Sequence, residues 1–443
     1  MKRAILSQLE LWKKSETRKP LILQGVRQVG KTWVLKDFGV KHYENTAYFN
    51  FDEQSELKQY FEVTKDVHRI LQQLSMVSGA PILPGKTFII FDEIQECPAA
   101  LNTLKYFCEN APEYHVACAG SLLGIKVDKK NSFPVGKVEF LTVYPMTFTE
   151  FLWAMGEDKL VGYTDSIDSL DPIPDIFFTQ LHEKLKMYFI TGGMPESVYF
   201  WAEKQDVAQV QKVLRNILDS YELDFSKHAE KKDIAKLSLL WSSIPSQLAR
   251  ENKKFIYKTV KPGVRAREYE DALTWLCDAG LVYKVYRNSK PALPVSAYDD
   301  LTAFKLYLVD VGLLRRLAFL DPVSFNEGNR LFSEFKGALS ENYILQSLVA
   351  QYEVSSRYWS SASTAEVDFT IQRGNDIIPI EVKSDENLRG KSLTLYNQEY
   401  APPIRVRFSL KNLKMDDNLI NIPMFFADHL DKFIDIAIKN KKG

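Results

Sequence analysis

Short apolar runs punctuate the first third of the chain. "LIL" (21–23), "AYFNF" (47–51), "TFIIFD" (87–92), "HVACAG" (115–120) and "KVEFLTVYP" (137–145) are spaced by longer segments, among them the helical stretch "WVLKDF". The unbroken run in "TFIIFD" is the pattern of a parallel strand covered on both faces. Together the five predict a five-stranded parallel sheet. Residues 155–180, rich in Asp, Gly and Pro, read as a variable loop. Helices are expected from about 181 to 230, as a lid subdomain. Beyond them "IPSQLAR" opens a helix, "EYEDALTWLCDAG" forms another that stops at Gly280, and "LVYKVYRNSKP" gives a strand and turn. That succession predicts a winged helix.

The pattern changes again near the end. In "GALSENYILQSL", Leu345 and Leu348 fall four and seven positions after Glu341, so this glutamate lies on the apolar face of a helix. Phe369 and Ile371 then alternate with polar residues, as do Ile378, Ile380 and Val382. Gly374-Asn375 between them is a favoured two-residue hairpin turn. Pairing about that turn sets Asp368 opposite Glu381 and Glu366 opposite Lys383, with all four side chains on one face. The last stretch, "NLKMDDNLINIPMFFADHLDKFIDIAIKNKKG", predicts an amphipathic helix covering this sheet.

Composition adds bounds. A length of 443 residues suits about three domains, and 45% hydrophobic with 26% charged residues is ordinary for globular chains. Fifty-seven basic residues balance fifty-seven acidic ones, so no global field draws the chain to nucleic acid or to a membrane, and such binding must come from local patches. One such patch is "RENKKFIYKTVKPGVRAR", although Glu268, Glu270 and Asp271 on the neighbouring helix oppose insertion into a DNA groove. Cys97, Cys108, Cys118 and Cys277 have no metal-ligand spacing and read as reduced thiols. The first residues lack an apolar signal core and no run approaches membrane-spanning length, which leads to an expected cytoplasmic location.

The clearest chemistry lies after the first strand. Gly25-x-x-x-x-Gly30-Lys31-Thr32, between a strand and a helix, is a phosphate-binding loop in its required context. Its backbone N–H groups wrap phosphates, Lys31 supplies charge at the β and γ positions, and the Thr32 hydroxyl reaches Mg²⁺. The expected nucleotide contacts are Gly25, Arg27, Gln28, Val29, Gly30, Lys31, Thr32 and Trp33. Asp92, at the end of "TFIIFD", is expected to hold the Mg²⁺ through water, and Glu93 to orient or deprotonate the attacking water. Ser121, after the strand "HVACAG", is a candidate γ-phosphate sensor.

The hairpin admits two readings. Opposed carboxylates stand about 4.5–5.5 Å apart at Cβ and repel unless a cation lies between them, which a divalent ion held by Asp368 and Glu381 would supply. Alternatively, Glu366 and Lys383 form a cross-strand ion pair beside two solvated acids. A helical Glu341, then Asp368, then Glu381-x-Lys383 resembles the PD-(D/E)xK nuclease superfamily. That resemblance implies metal binding by Asp368 and Glu381, assistance to the attack by Lys383 and orientation by Glu341, with Val367 standing where the family has proline.

Over residues 20–385, "GVRQVGKT", "FDEIQ", "AGSLLG", "PVGKVEFLTVYPMTFTEF", "TGGMPE", "IPSQLARENKKF", "YEDALTWLCDAGLV", "FKLYLVDVGLL" and "EVDF…PIEVKS" occur in one order. This set resembles prokaryotic AAA-type ATPases with an appended C-terminal domain of unknown function. The resemblance implies ATP as ligand with Mg²⁺, an α/β ATPase core and a nuclease-like C-terminal fold. By the same resemblance Pro195, in "GGMP", lies against adenine; a plain loop between helices is the other reading of it. The expected organisation is a P-loop core at 1–155, a helical lid at 156–231, a winged-helix domain at 232–325 and a nuclease-like domain at 326–443. The expected activity is ATP hydrolysis coupled to a domain acting on or sensing DNA or RNA, with an ATP-dependent switch holding a protein or DNA partner through an inactive nuclease fold as the alternative. The sequence leaves the oligomeric state and any arginine finger open.

Overall fold

A computed structural model describes residues 1–120, 134–250, 253–263, 265–322, 330–352, 354–361, 365–384 and 390–442. They form two compact units. One holds Lys2–Tyr144 with Asp278–Gly280, and the other holds Met1, Pro145–Cys277 and Leu281–Gly443.

The first unit is built on β1 (Leu21–Gln24), β2 (Asn45–Asn50), β3 (Thr87–Asp92), β4 (His115–Ala119) and β5 (Glu139–Thr142). They lie in the order β2-β3-β4-β1-β5, and every pairing is parallel. The five expected strands are therefore all present. All six residues of β3 are buried, as its unbroken apolar run requires. Phe51, Phe61, Phe91 and Phe107 interlock on one face, with ring centroids 5.5–6.1 Å apart. In this order only β4 separates the carboxyl ends of β1 and β3, so the loops leaving those two strands open on the same edge of the sheet.

The second unit is a mixed sheet with helices. Its strands are β6 (Val282–Asn288), β7 (Asp299–Leu308), β8 (Arg357–Ser360), β9 (Glu366–Arg373), β10 (Asp376–Val382), β11 (Arg405–Ser409), β12 (Lys414–Asp416) and β13 (Leu419–Pro423). The order is β12-β13-β11-β10-β9-β8-β6-β7. The strand expected within a winged helix, β6, joins this sheet through the parallel pairs Arg287↔Tyr358 and Asn288↔Trp359.

Three local expectations need correction. Residues 155–180 contain helix Asp158–Ser166 and the start of helix Asp175–Thr191. Leu160, Val161 and Thr164 are buried, and this short apolar stripe outweighs the polar composition. "IPSQLAR" closes a helix rather than opening one. Lys231–Leu248 runs through Pro245 because Leu237, Leu240, Trp241, Ile244 and Leu248 form one buried stripe that holds the helix past the missing N–H. The final stretch contributes β12 and β13 before helix Leu430–Lys442, with Asp417 at φ 54° turning the chain between them.

One buried junction ties the second unit together. Gly192 has φ 66°, and a Cβ there would sit 2.1 Å from Asp310 Oδ1; at Gly193 it would sit 2.2 Å from the Met146 carbonyl oxygen. The Gly193 N–H donates to Asp310 Oδ2 (2.6 Å), and the Leu313 N–H to Asp310 Oδ1 (2.9 Å). Gln346 donates to both Asp310 and the Tyr188 hydroxyl. Both glycines are thus demanded by close approach. Among the described residues, no helix is long and apolar enough to cross a membrane.

Candidate functional site

The loop after β1 owes its shape to its glycines and one glutamine. Gly25 has φ 137°, and a Cβ there would meet the Val143 carbonyl oxygen at 2.2 Å. Gln28 (φ 65°) and Gly30 (φ 93°) also take the left-handed region, which turns the chain into helix Lys31–His42. That helix starts with no side-chain cap and no acid in its first turn, so its leading N–H groups and positive dipole end suit an anion. Arg3 braces the loop, donating to the Val29 carbonyl (3.1 Å) and the Tyr144 carbonyl (2.7 Å).

Lys31 is buried, and its ammonium donates to the carbonyls of Gly25 (2.7 Å) and Val26 (2.9 Å). Burial pulls it down to about 8, against the upward pull of Glu93 and Asp92, and Arg27 adds to the lowering. The ammonium is the form that binds phosphate, and it is lost as pH rises through about 8. ATP affinity is therefore expected to weaken about tenfold between about pH 7 and pH 9. Titrations of ATP binding across that range check this, with Lys31→Arg flattening the profile; a flat wild-type profile would contradict it.

Thr32 and Asp92 meet at the sheet edge. The Thr32 hydroxyl lies 2.9 and 3.1 Å from the two Asp92 carboxylate oxygens. The buried Asp92 also accepts from the Tyr48 hydroxyl (2.7 Å) and from the Glu93 N–H (3.1 Å). Glu93 has a left-handed backbone (φ 48°), and its carboxylate accepts from Gln95 at 2.5 Å. A hydroxyl and a carboxylate in contact beside a phosphate-binding lysine are the hard oxygen donors that Mg²⁺ takes, so the residues fit that ion.

Of the other expected contacts, Val29 is buried, Arg27 is half-buried, and Gln28 and Trp33 are exposed at the loop and the helix start. Ser121 lies outside the described residues. Pro195 opens helix Pro195–Lys204 in the second unit. Sequence reading missed Tyr48 and Arg3. Tyr48 carried a faint signal, a hydroxyl in a buried strand that needs a partner; a lone arginine near the start carries none.

The hairpin follows the expected register, with Ile380↔Phe369 and Asp376↔Arg373 flanking the Gly374 turn. Asp368 Oδ2 accepts the Val382 N–H (2.8 Å). Glu381 meets Lys383 (3.3 Å) and Arg407 (3.3 Å). Glu366 pairs instead with Lys305 (2.5 Å), a fully buried lysine of β7. Glu341 is buried, and it accepts from Lys253 and from the Tyr307 hydroxyl (2.9 Å). Burial, and then the adjacent Glu341, push Asp368 up to about 7. Burial would raise Glu341 too, but Lys253 and Lys305 hold it below the usual range. Among the described residues, no group of three or more His, Cys, Asp or Glu side chains is arranged to hold a metal ion.

Residues 17–152 match the family model of an AAA domain. Residues 182–324 and 336–425 match two domains of unknown function, DUF8612 and DUF4143. No curated protein matches the chain. Among solved structures, it is similar to a Walker-type ATPase of Pyrococcus abyssi at 14% identity and TM-score 0.41, over 71% of this chain and 95% of that one. It is also similar to RuvB of Thermotoga maritima at 13% identity and TM-score 0.30, over 65% and 87%. A third similarity is to the ORC1 protein of Aeropyrum pernix, solved in complex with DNA, at 14% identity and TM-score 0.25, over 72% and 91%.

Proposed function

We propose, from the AAA domain at residues 17–152, that this chain hydrolyses ATP with Mg²⁺ and uses the cycle to govern how its second unit engages nucleic acid. The observation that carries the reading is the Thr32–Asp92 contact on the same sheet edge as the buried Lys31. When ATP arrives, Lys31 exchanges the carbonyls of Gly25 and Val26 for phosphate oxygens, and the first N–H groups of its helix face the same phosphates. Thr32 and Asp92 would hold Mg²⁺, which neutralises charge developing on the transferred phosphoryl group. Tyr48 fixes the Asp92 carboxylate, and Glu93 orients the attacking water.

The nucleic-acid part of the reading draws on the basic segment, where Arg250, Lys258, Lys261, Arg265 and Arg267 are exposed. The neighbouring Glu268, Glu270 and Asp271 are exposed as well, which suits phosphate contact outside a groove better than base reading. ATPase rate measured with single-stranded DNA, duplex DNA and RNA tests it. Stimulation of several-fold, falling with added salt, is expected. A rate indifferent to every polynucleotide would remove nucleic acid from the reading. A second reading, an ATP-dependent switch that holds a protein partner through a non-cutting nuclease fold, is favoured by the carboxylates of the hairpin region already facing cations.

A further inference from the structure

The carboxylates around the hairpin fail the test for a metal site. Glu366 and Asp368 stand two apart on β9, and Lys305 and Tyr307 two apart on β7, so each pair shares one face of its strand. The Lys305–Glu366 contact brings those two faces together. Lys305, fully buried, reaches Glu366 at 2.5 Å, and Lys253 reaches Glu341. Three acids, Glu341, Glu366 and Asp368, therefore share two ammonium groups, and one Asp368 oxygen is already taken by the Val382 N–H. A divalent ion would have to displace ammonium groups that already pair with Glu341 and Glu366, and displacing a buried ammonium leaves it desolvated and unpaired.

We propose that Lys253 and Lys305 stand in the place of the divalent cation that a nuclease-like hairpin would otherwise take, so that this cluster is closed to metal while Lys253 is docked on Glu341. Lys305 is the permanent half of the pair. Lys253, whose side chain keeps 17% exposure, is the removable half. It belongs to the basic segment assigned above to phosphate contact, so a polynucleotide drawing Lys253 away would open the cluster. The inference rests on reading the hairpin as nuclease-like, and it adds a reason for that fold to be inactive at rest.

The test is Mn²⁺ binding by calorimetry, without nucleotide and in an Asp92→Asn background that silences the P-loop ion site. The chain with Lys253 intact should bind no Mn²⁺ that Asp368→Asn abolishes. Lys253→Gln, which keeps the length and removes the charge, should bind one Mn²⁺ at least about tenfold more tightly than its parent, and Asp368→Asn should reverse the gain. Lys253→Arg should remain closed. If Lys253→Gln is too unstable for titration, its melting temperature with and without millimolar Mn²⁺ serves instead, with stabilisation expected in the variant and none in the parent. Tight Mn²⁺ binding that depends on Asp368 while Lys253 is in place would overturn the proposal, as would a Lys253→Gln variant indifferent to Mn²⁺. Neither result depends on whether polynucleotides stimulate the ATPase, so the two readings fail separately.

Discussion

Replacing Glu93 with glutamine is expected to slow ATP turnover by about 10²–10³-fold while leaving ATP affinity within about twofold. The substitution keeps the size of the side chain and its contact with Gln95, and removes only the charge that accepts a proton or orients water. The binding groups are others: Lys31, the loop N–H donors, and the Thr32–Asp92 pair. The left-handed backbone at Glu93 is set by the turn after β3, and its N–H is tied to Asp92, so glutamine inherits the same placement. Single-turnover hydrolysis beside equilibrium nucleotide binding separates the two effects. A decrease under about threefold would show that Glu93 is not the residue acting on water.

Asp310→Ala is expected to cost the second unit about 3–5 kcal/mol. Asp310 is fully buried and accepts from Gly193, Leu313 and Gln346. Truncation strands the Gly193 and Leu313 N–H groups out of reach of water, at about 1–3 kcal/mol for each left unsatisfied, the Leu313 bond being also the cap of helix Val311–Leu317, while Gln346 keeps its bond to the Tyr188 hydroxyl. Asp310→Asn, which retains one acceptor, should cost markedly less. Hydrogen exchange at the Gly193 and Leu313 amides, with denaturant melts, reads the loss. An alanine variant as protected as the wild type would show that the junction is not a keystone.

The P-loop unit was legible because its signals are local. A strand, a short glycine-bearing loop and a helix lie in one sequence window, and the unbroken apolar run of β3 ends at Asp92. The second unit was legible only in pieces. The Gly374 turn fixed the hairpin register from within, but Lys305 meets Glu366 across 61 positions and Lys253 meets Glu341 across 88, and no periodicity encodes such partners. The same holds for Gly193 and Asp310, 117 positions apart. A strand and turn were read where β6 lies, but which sheet that strand would join depends on β8, an interior strand of only four residues.

The joining of β6 to β8 bears on how such a chain could have been assembled. A recombination breakpoint between residues 308 and 357 would fall inside one hydrogen-bonded sheet. It would put Lys305 in one fragment and Glu366 in the other, leaving the buried lysine charge without its counterpart. These segments are thus expected to be inherited as a block and to diverge in step, whereas exchange of the P-loop unit would leave that sheet whole.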